Sequence, residues 1–155
     1  MTRTALITGM SGVGKSTLLR ELARRGLETV DADDDTWCIW VDGDDPGYLW
    51  REDKIAELLT RGRSVPLVVA GTVGNQGAFD FDVTVLLSAP LDVTLRRISA
   101  RTDNPYGKSS DEHRLIVEQH ARIEPLLRSW ADRELDGTRP LSELADDVEA
   151  LLADA

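Results

Sequence analysis

One cysteine, Cys38, occurs among the 155 residues. A lone cysteine excludes an internal disulfide and any cysteine-based zinc cluster, and it fits a reducing compartment. No apolar run reaches the roughly 18 residues that a membrane span needs. The opening "MTRTALITGM" lacks the apolar core of a signal peptide, so the chain reads as cytoplasmic, without a membrane partner. A basic stripe is also missing, and the net charge is −10. That balance argues against a nucleic-acid partner, although it says nothing of a small pocket. The only histidines, His113 and His120, stand without a ligand pattern around them and read as surface or packing residues. Internal repeats, linkers and low-complexity tracts are absent as well. What remains is a chain of one domain's length, 41% apolar, so a single folded domain over 1–155 is expected.

Strands and helices alternate along it. "TALIT" (4–8) is a short apolar strand ending at Gly9. "KSTLLRELARRG" repeats apolar residues at helical spacing and stops at Gly26. "LETVDAD" reads as a second strand entering an acidic loop, 51–62 as a helix, "VPLVVAGT" as a third strand and 82–88 as a fourth. Pro90 sits at the first turn of the next helix. A polar stretch, 102–110, precedes a long helix near 110–131, which Pro125 is expected to kink or split. "RELDG" is a candidate fifth strand, and an amphipathic helix closes the chain. The alternation predicts an α/β fold with a mainly parallel sheet between helices.

The most specific signal is "GMSGVGKST", residues 9–17. Gly9 to Ser16 match G-x-x-x-x-G-K-[ST] in full, after a strand and before a helix, which is the context the phosphate-binding loop requires. Glycines let the backbone wrap around phosphates, and loop N–H groups with the helix N-terminus favour negative charge. Gly9, Ser11, Gly12, Val13, Gly14, Lys15, Ser16 and Thr17 are thus the expected nucleotide contacts. Lys15 is expected to reach the β- and γ-phosphates, and Ser16 to ligate Mg²⁺ beside Thr17. The acidic run "VDADDD" (30–35) follows the second strand. A carboxylate there can hold Mg²⁺ or take a proton from an attacking hydroxyl, and the D-x-D spacing puts Asp31 and Asp33 on one side of an extended chain.

A P-loop near the start, "V-D-A-D" closing strand two and a short chain resemble shikimate kinase and its relatives, gluconate kinase and the nucleoside-monophosphate kinases. The resemblance implies a three-layer P-loop fold with a five-stranded sheet, and ATP with Mg²⁺ as cofactors. It assigns Asp31 to Mg²⁺ and Asp33 to the acceptor hydroxyl. "VVAGTVGNQG" (68–77) resembles the turn where the acceptor sits, with Gly71, Asn75 and Gln76 as candidate contacts. "LRRISARTDNPYGK" resembles an arginine-bearing helix entering a lid, here about 102–114. In it Arg101 lies beside adenine and phosphates, with a catalytic part. "DGTRPLSEL" resembles the adenine-covering loop, pairing Pro140 with Arg101. Arg97, Lys108 and Arg114 are candidates to neutralise developing charge. One departure stands out: "RIEPLL" (122–127) carries Glu124 where shikimate kinases have arginine, with Arg122 as a substitute.

The acceptor segment, about 33–62, is acidic at its start. Residues 26–50 hold no Lys or Arg but Glu28 and seven aspartates. A phosphorylated or carboxylated acceptor needs arginines, and Arg51, Arg61 and Arg63 come later. The bias therefore favours a neutral or cationic hydroxyl compound. Trp37, Trp40, Trp50 and Tyr48 fall in or beside this stretch and are read either as packing or as an apolar wall around the acceptor. The expected protein is thus a small-molecule kinase, a monomer or weak homodimer. The alternatives are a nucleoside-monophosphate kinase, a nucleotide-binding switch or ATPase, and an inert P-loop protein. Against the switch stand the missing Asp after strand three, which ends in Gly71-Thr72, and the missing N-K-x-D.

Overall fold

A computed structural model describes residues 3–101 and 108–153. β1 (Thr4–Thr8), β2 (Glu28–Asp31), β5 (Leu67–Ala70), β6 (Val83–Ser88) and β7 (Arg133–Asp136) form a sheet in the order β2-β5-β1-β6-β7. Every neighbouring pair is parallel. Central strands buried on both faces must be apolar throughout, and β1 and β5 are buried along their whole length. The two-residue period of a strand then divides them between two cores. Ala5, Ile7, Val68 and Ala70 pack with α1 (Lys15–Arg24) and α5 (Leu141–Ala153). Leu6, Leu67 and Val69 pack with Ile55 and Leu58 of α2 (Glu52–Thr60). The result is three layers, helix on sheet on helix.

Two features depart from the sequence reading. The first is a two-stranded antiparallel ribbon, β3 (Cys38–Val41) with β4 (Gly47–Trp50), in the acceptor segment. On one face Cys38 opposes Trp50, and both are buried; on the same face further out, Trp40 meets Tyr48 edge to face at 5.1 Å, and both are exposed. Strands of four residues interrupted by an acidic loop give too little alternation to announce themselves. The second is α4 (Ser110–Trp130), one unbroken helix with Pro125 inside it. Proline removes one N–H, leaving the carbonyl of residue 121 without its helical donor. Ala121 and Pro125 are both exposed, so water satisfies that carbonyl and the helix continues. α3 (Leu91–Ala100) completes the set.

The topology sets the site. The chain leaves β1 for the loop 9–14, β2 for 32–36 and β5 for 71–75, all at the C-terminal edge of a parallel sheet, where ligand crevices of open α/β folds lie.

Candidate active site

A cleft of about 780 Å³ opens at that edge, lined by the loop from Ser11 to Thr17 together with Asp31, Asp33, Asp34, Arg97, Arg101 and Gly137. Gly14, the residue before α1, has φ 106° and ψ 19°, a left-handed conformation that glycine alone adopts without strain. It turns the chain from the loop into the helix, so that α1 begins with its free N–H groups toward the cleft.

Lys15 bends back over the loop. Its ammonium donates to Gly9 O at 2.5 Å and Met10 O at 3.3 Å. Burial pushes its pKa below the ordinary lysine value, opposed by Asp33 and Asp31. Ser16 Oγ donates to Asp31 Oδ2 at 2.7 Å, which brings together the two side chains expected at a metal. A hydroxyl and a carboxylate at this separation, beside a phosphate loop, are the oxygen donors that Mg²⁺ accepts, with water and phosphate filling the remaining positions.

Asp33 extends from the loop after β2 toward the loop after β5, where its Oδ1 accepts the Thr72 N–H at 3.1 Å. Burial raises its pKa; Lys15 and the Thr72 N–H pull it down, while Asp31 and Asp34 add to the rise. Gly71 makes this approach possible. A Cβ there would stand 2.7 Å from the Trp50 ring and 3.3 Å from Asp33 Oδ1.

Some expected residues take other roles. Gln76 is only 3% exposed; its amide donates to Thr8 Oγ1 at 3.1 Å and accepts the Val73 N–H at 2.9 Å. Asn75 accepts the Trp50 N–H at 2.9 Å and donates to Trp50 O at 3.1 Å. Both groups hold the loop and ribbon in place. Pro140 is exposed and stands off the cleft, which its neighbours Arg139 and Leu141 line instead. The Pro140 carbonyl receives the Glu143 and Leu144 N–H groups and starts α5. Trp50, 1% exposed, is core against Phe79 and Phe81, while Trp37, Trp40 and Tyr48 do not line the cleft. The aromatic residues therefore form no wall of this cleft.

Of the basic candidates, Arg101 lines the cleft. Arg97 reaches the loop and grips backbone, donating to Val13 O at 3.0 Å and Gly137 O at 2.8 Å. Lys108 donates to Arg101 O. Arg114 lies exposed in the first turns of α4, so residues 110–114 of the expected lid are helical; the expected lid positions 102–107 lie outside the described residues. Glu124, 6% exposed, pairs with Arg128 at 3.0 Å and faces His120 at 3.3 Å. Arg122 is exposed and away from the cleft lining. Arg63 joins Glu28 at 3.2 Å at the opposite edge of the sheet.

Sequence reasoning missed Thr72, Asp34, Arg20 and Arg139. The last three line the cleft, and only their position in the fold reveals it. Thr72 was visible as a strand end but carried no motif.

Comparison with known proteins agrees with this geometry. Residues 6–119 match the AAA domain family. A shikimate kinase of Francisella philomiragia is 31% identical over 151 residues, covering 84% of this chain and 83% of that protein. A shikimate kinase of Halorhodospira halophila is 32% identical over 163 residues, covering 94% and 91%. In structure, the chain is similar to a shikimate kinase from Acinetobacter baumannii in complex with shikimate, with a TM-score of 0.64 at 17% identity over 97% of this chain and 93% of that one. A sugar kinase from Janibacter sp. gives a TM-score of 0.58 at 18% identity over 99% and 96%. With a nucleotide loop of full sequence and a carboxylate facing it across the cleft, the chain belongs to the shikimate kinase-like group of P-loop kinases, enzymes that phosphorylate small metabolites.

Proposed function

We propose that this kinase moves the γ-phosphoryl group of ATP·Mg²⁺ to a hydroxyl of a neutral or cationic metabolite. The observation that carries the reading is the convergence of Lys15, Asp33 and the Ser16–Asp31 pair at one mouth of the cleft. Loop N–H groups and Lys15 bind the phosphates. Ser16 and Asp31 hold Mg²⁺, which when bound neutralises phosphate charge. Asp33, oriented by the Thr72 N–H, accepts the proton of the attacking hydroxyl. The surroundings that raise its pKa make it a better base than a free aspartate. Arg101, which lines the cleft, would offset charge that develops on the transferring group. The domain is a single unit with its acceptor segment at about 33–62.

The acceptor's charge follows from what surrounds Asp33. Asp31 and Asp34 share its side of the cleft. Arg63 is committed to Glu28, and Glu124, where the resemblance expects an arginine, is bound to Arg128. An acceptor carboxylate there would meet the carboxylates of Asp31, Asp33 and Asp34, which repel it. The experiment is ADP release from Mg·ATP with shikimate, gluconate, nucleosides, nucleoside monophosphates and amino-sugar or aminocyclitol compounds. Turnover with neutral or aminated hydroxyl compounds, and little with the acids and monophosphates, is expected. Preference for shikimate or a monophosphate contradicts the charge argument.

A further inference from the structure

Thr72 touches both sides of the cleft. Its N–H orients Asp33, as described. Its hydroxyl oxygen lies 2.6 Å from Gly9 O and 3.2 Å from Gly9 N. A carbonyl only accepts, so the Thr72 proton goes to Gly9 O while the oxygen receives the Gly9 N–H. Thr8 Oγ1, 3.1 Å away, is the donor in its contact with Thr72; it also stands 3.5 Å from Gln76 Oε1 and accepts from Gln76 Nε2 at 3.1 Å. One ordered chain therefore runs from Gln76 through Thr8 and Thr72 to Gly9. Thr8 and Gln76 are buried, and Thr72 is half-buried.

Gly9 O has a second donor, the Lys15 ammonium at 2.5 Å. A lysine that serves the nucleotide has to leave this carbonyl. Without another donor, the carbonyl would then stand unsatisfied at a partly buried position, which is costly. We propose that Thr72 is a positioning residue of the nucleotide cradle: its hydroxyl fixes the Gly9 peptide group and keeps that carbonyl hydrogen-bonded when Lys15 turns to the phosphates. The role rests on the kinase reading above.

The test compares Mg·ATP affinity by calorimetry in the wild type, Thr72→Val and Thr72→Ser, with thermal unfolding measured alongside. Valine keeps the volume and the backbone N–H and removes the hydroxyl; serine keeps the hydroxyl. The expected result is Mg·ATP binding weaker by about tenfold in Thr72→Val and within about twofold of wild type in Thr72→Ser, the size of one lost hydrogen bond. If valine does not fold, Thr72→Ala makes the same comparison. Unchanged affinity in the hydroxyl-free variant, even with a lowered Tm, overturns the role, as does equal weakening by serine, which would assign the effect to packing. Wild-type protein that binds no Mg·ATP contradicts the kinase reading itself, and the proposal with it.

Discussion

Asp33 shows that the site works against the stability of the fold. Its folded pKa is raised chiefly by burial, despite Lys15 and the Thr72 N–H. An acid with a folded pKa above its unfolded value binds its proton more tightly when folded. Below the unfolded carboxylate pKa, about 3.9, both states are protonated and Asp33 is neutral to stability. As pH rises through the unfolded and then the folded pKa, the ionised carboxylate costs stability, and the full cost is present above the folded pKa. Asp33→Asn, which keeps an acceptor for the Thr72 N–H, should therefore raise Tm at pH 7 and leave it nearly unchanged near pH 3. The same variant should lose acceptor-dependent turnover by about 10²-fold or more, the usual worth of a positioned base, while retaining nucleotide binding. Thermal scans at the two pH values, with turnover at neutral pH, check both parts. A lower Tm at pH 7 would mean that attraction to Lys15 exceeds the burial penalty. At this scale the sequence was informative where chemistry has a fixed spacing: Ser11 to Thr17 of the loop and the Asp31–Asp33 pair meet in one cleft. It was uninformative for Asn75 and Gln76, because an amide in a loop looks the same whether it faces a ligand or braces a backbone.

The elements that brace the cleft are the β3–β4 ribbon and the loop after β5. Trp50 closes the ribbon, and its indole N–H donates to Ala32 O at 3.0 Å, next to Asp33. Cys38 Sγ approaches the same carbonyl at 3.1 Å; burial pushes its thiol up to about 11, so it serves as packing rather than as a nucleophile. Asn75 holds the Trp50 backbone at both of its polar groups. Trp50→Ala should destabilise the protein by about 3–5 kcal/mol, the range for emptying a buried aromatic site, and Asn75→Ala by about 1–3 kcal/mol through the groups it leaves unsatisfied. Urea unfolding measures both. A cost below about 0.5 kcal/mol for Trp50→Ala, the level of an ordinary surface change, would show that the ribbon does not depend on its core contact. The ribbon escaped sequence reading because its four-residue strands owe their existence to Trp50, Phe79 and Phe81 meeting in space. The long helix was legible in extent, but the effect of Pro125 depended on which face met water.

Over the whole molecule, the order of strands and helices sufficed to predict a parallel sheet, since a run such as "VPLVVA" is stable only when covered on both faces. The charge distribution was harder to read. A net charge of −10 does not reveal that Arg20, Arg97, Arg101 and Arg139 gather on one cleft together with Asp31, Asp33 and Asp34. The central claim is that the phosphorus leaves ATP for a hydroxyl rather than for water. ³¹P NMR of wild-type enzyme with Mg·ATP and a mixture of neutral and aminated hydroxyl compounds follows that atom directly. The account predicts a new phosphomonoester resonance growing with ADP; inorganic phosphate as the sole product, with or without acceptors, would contradict it.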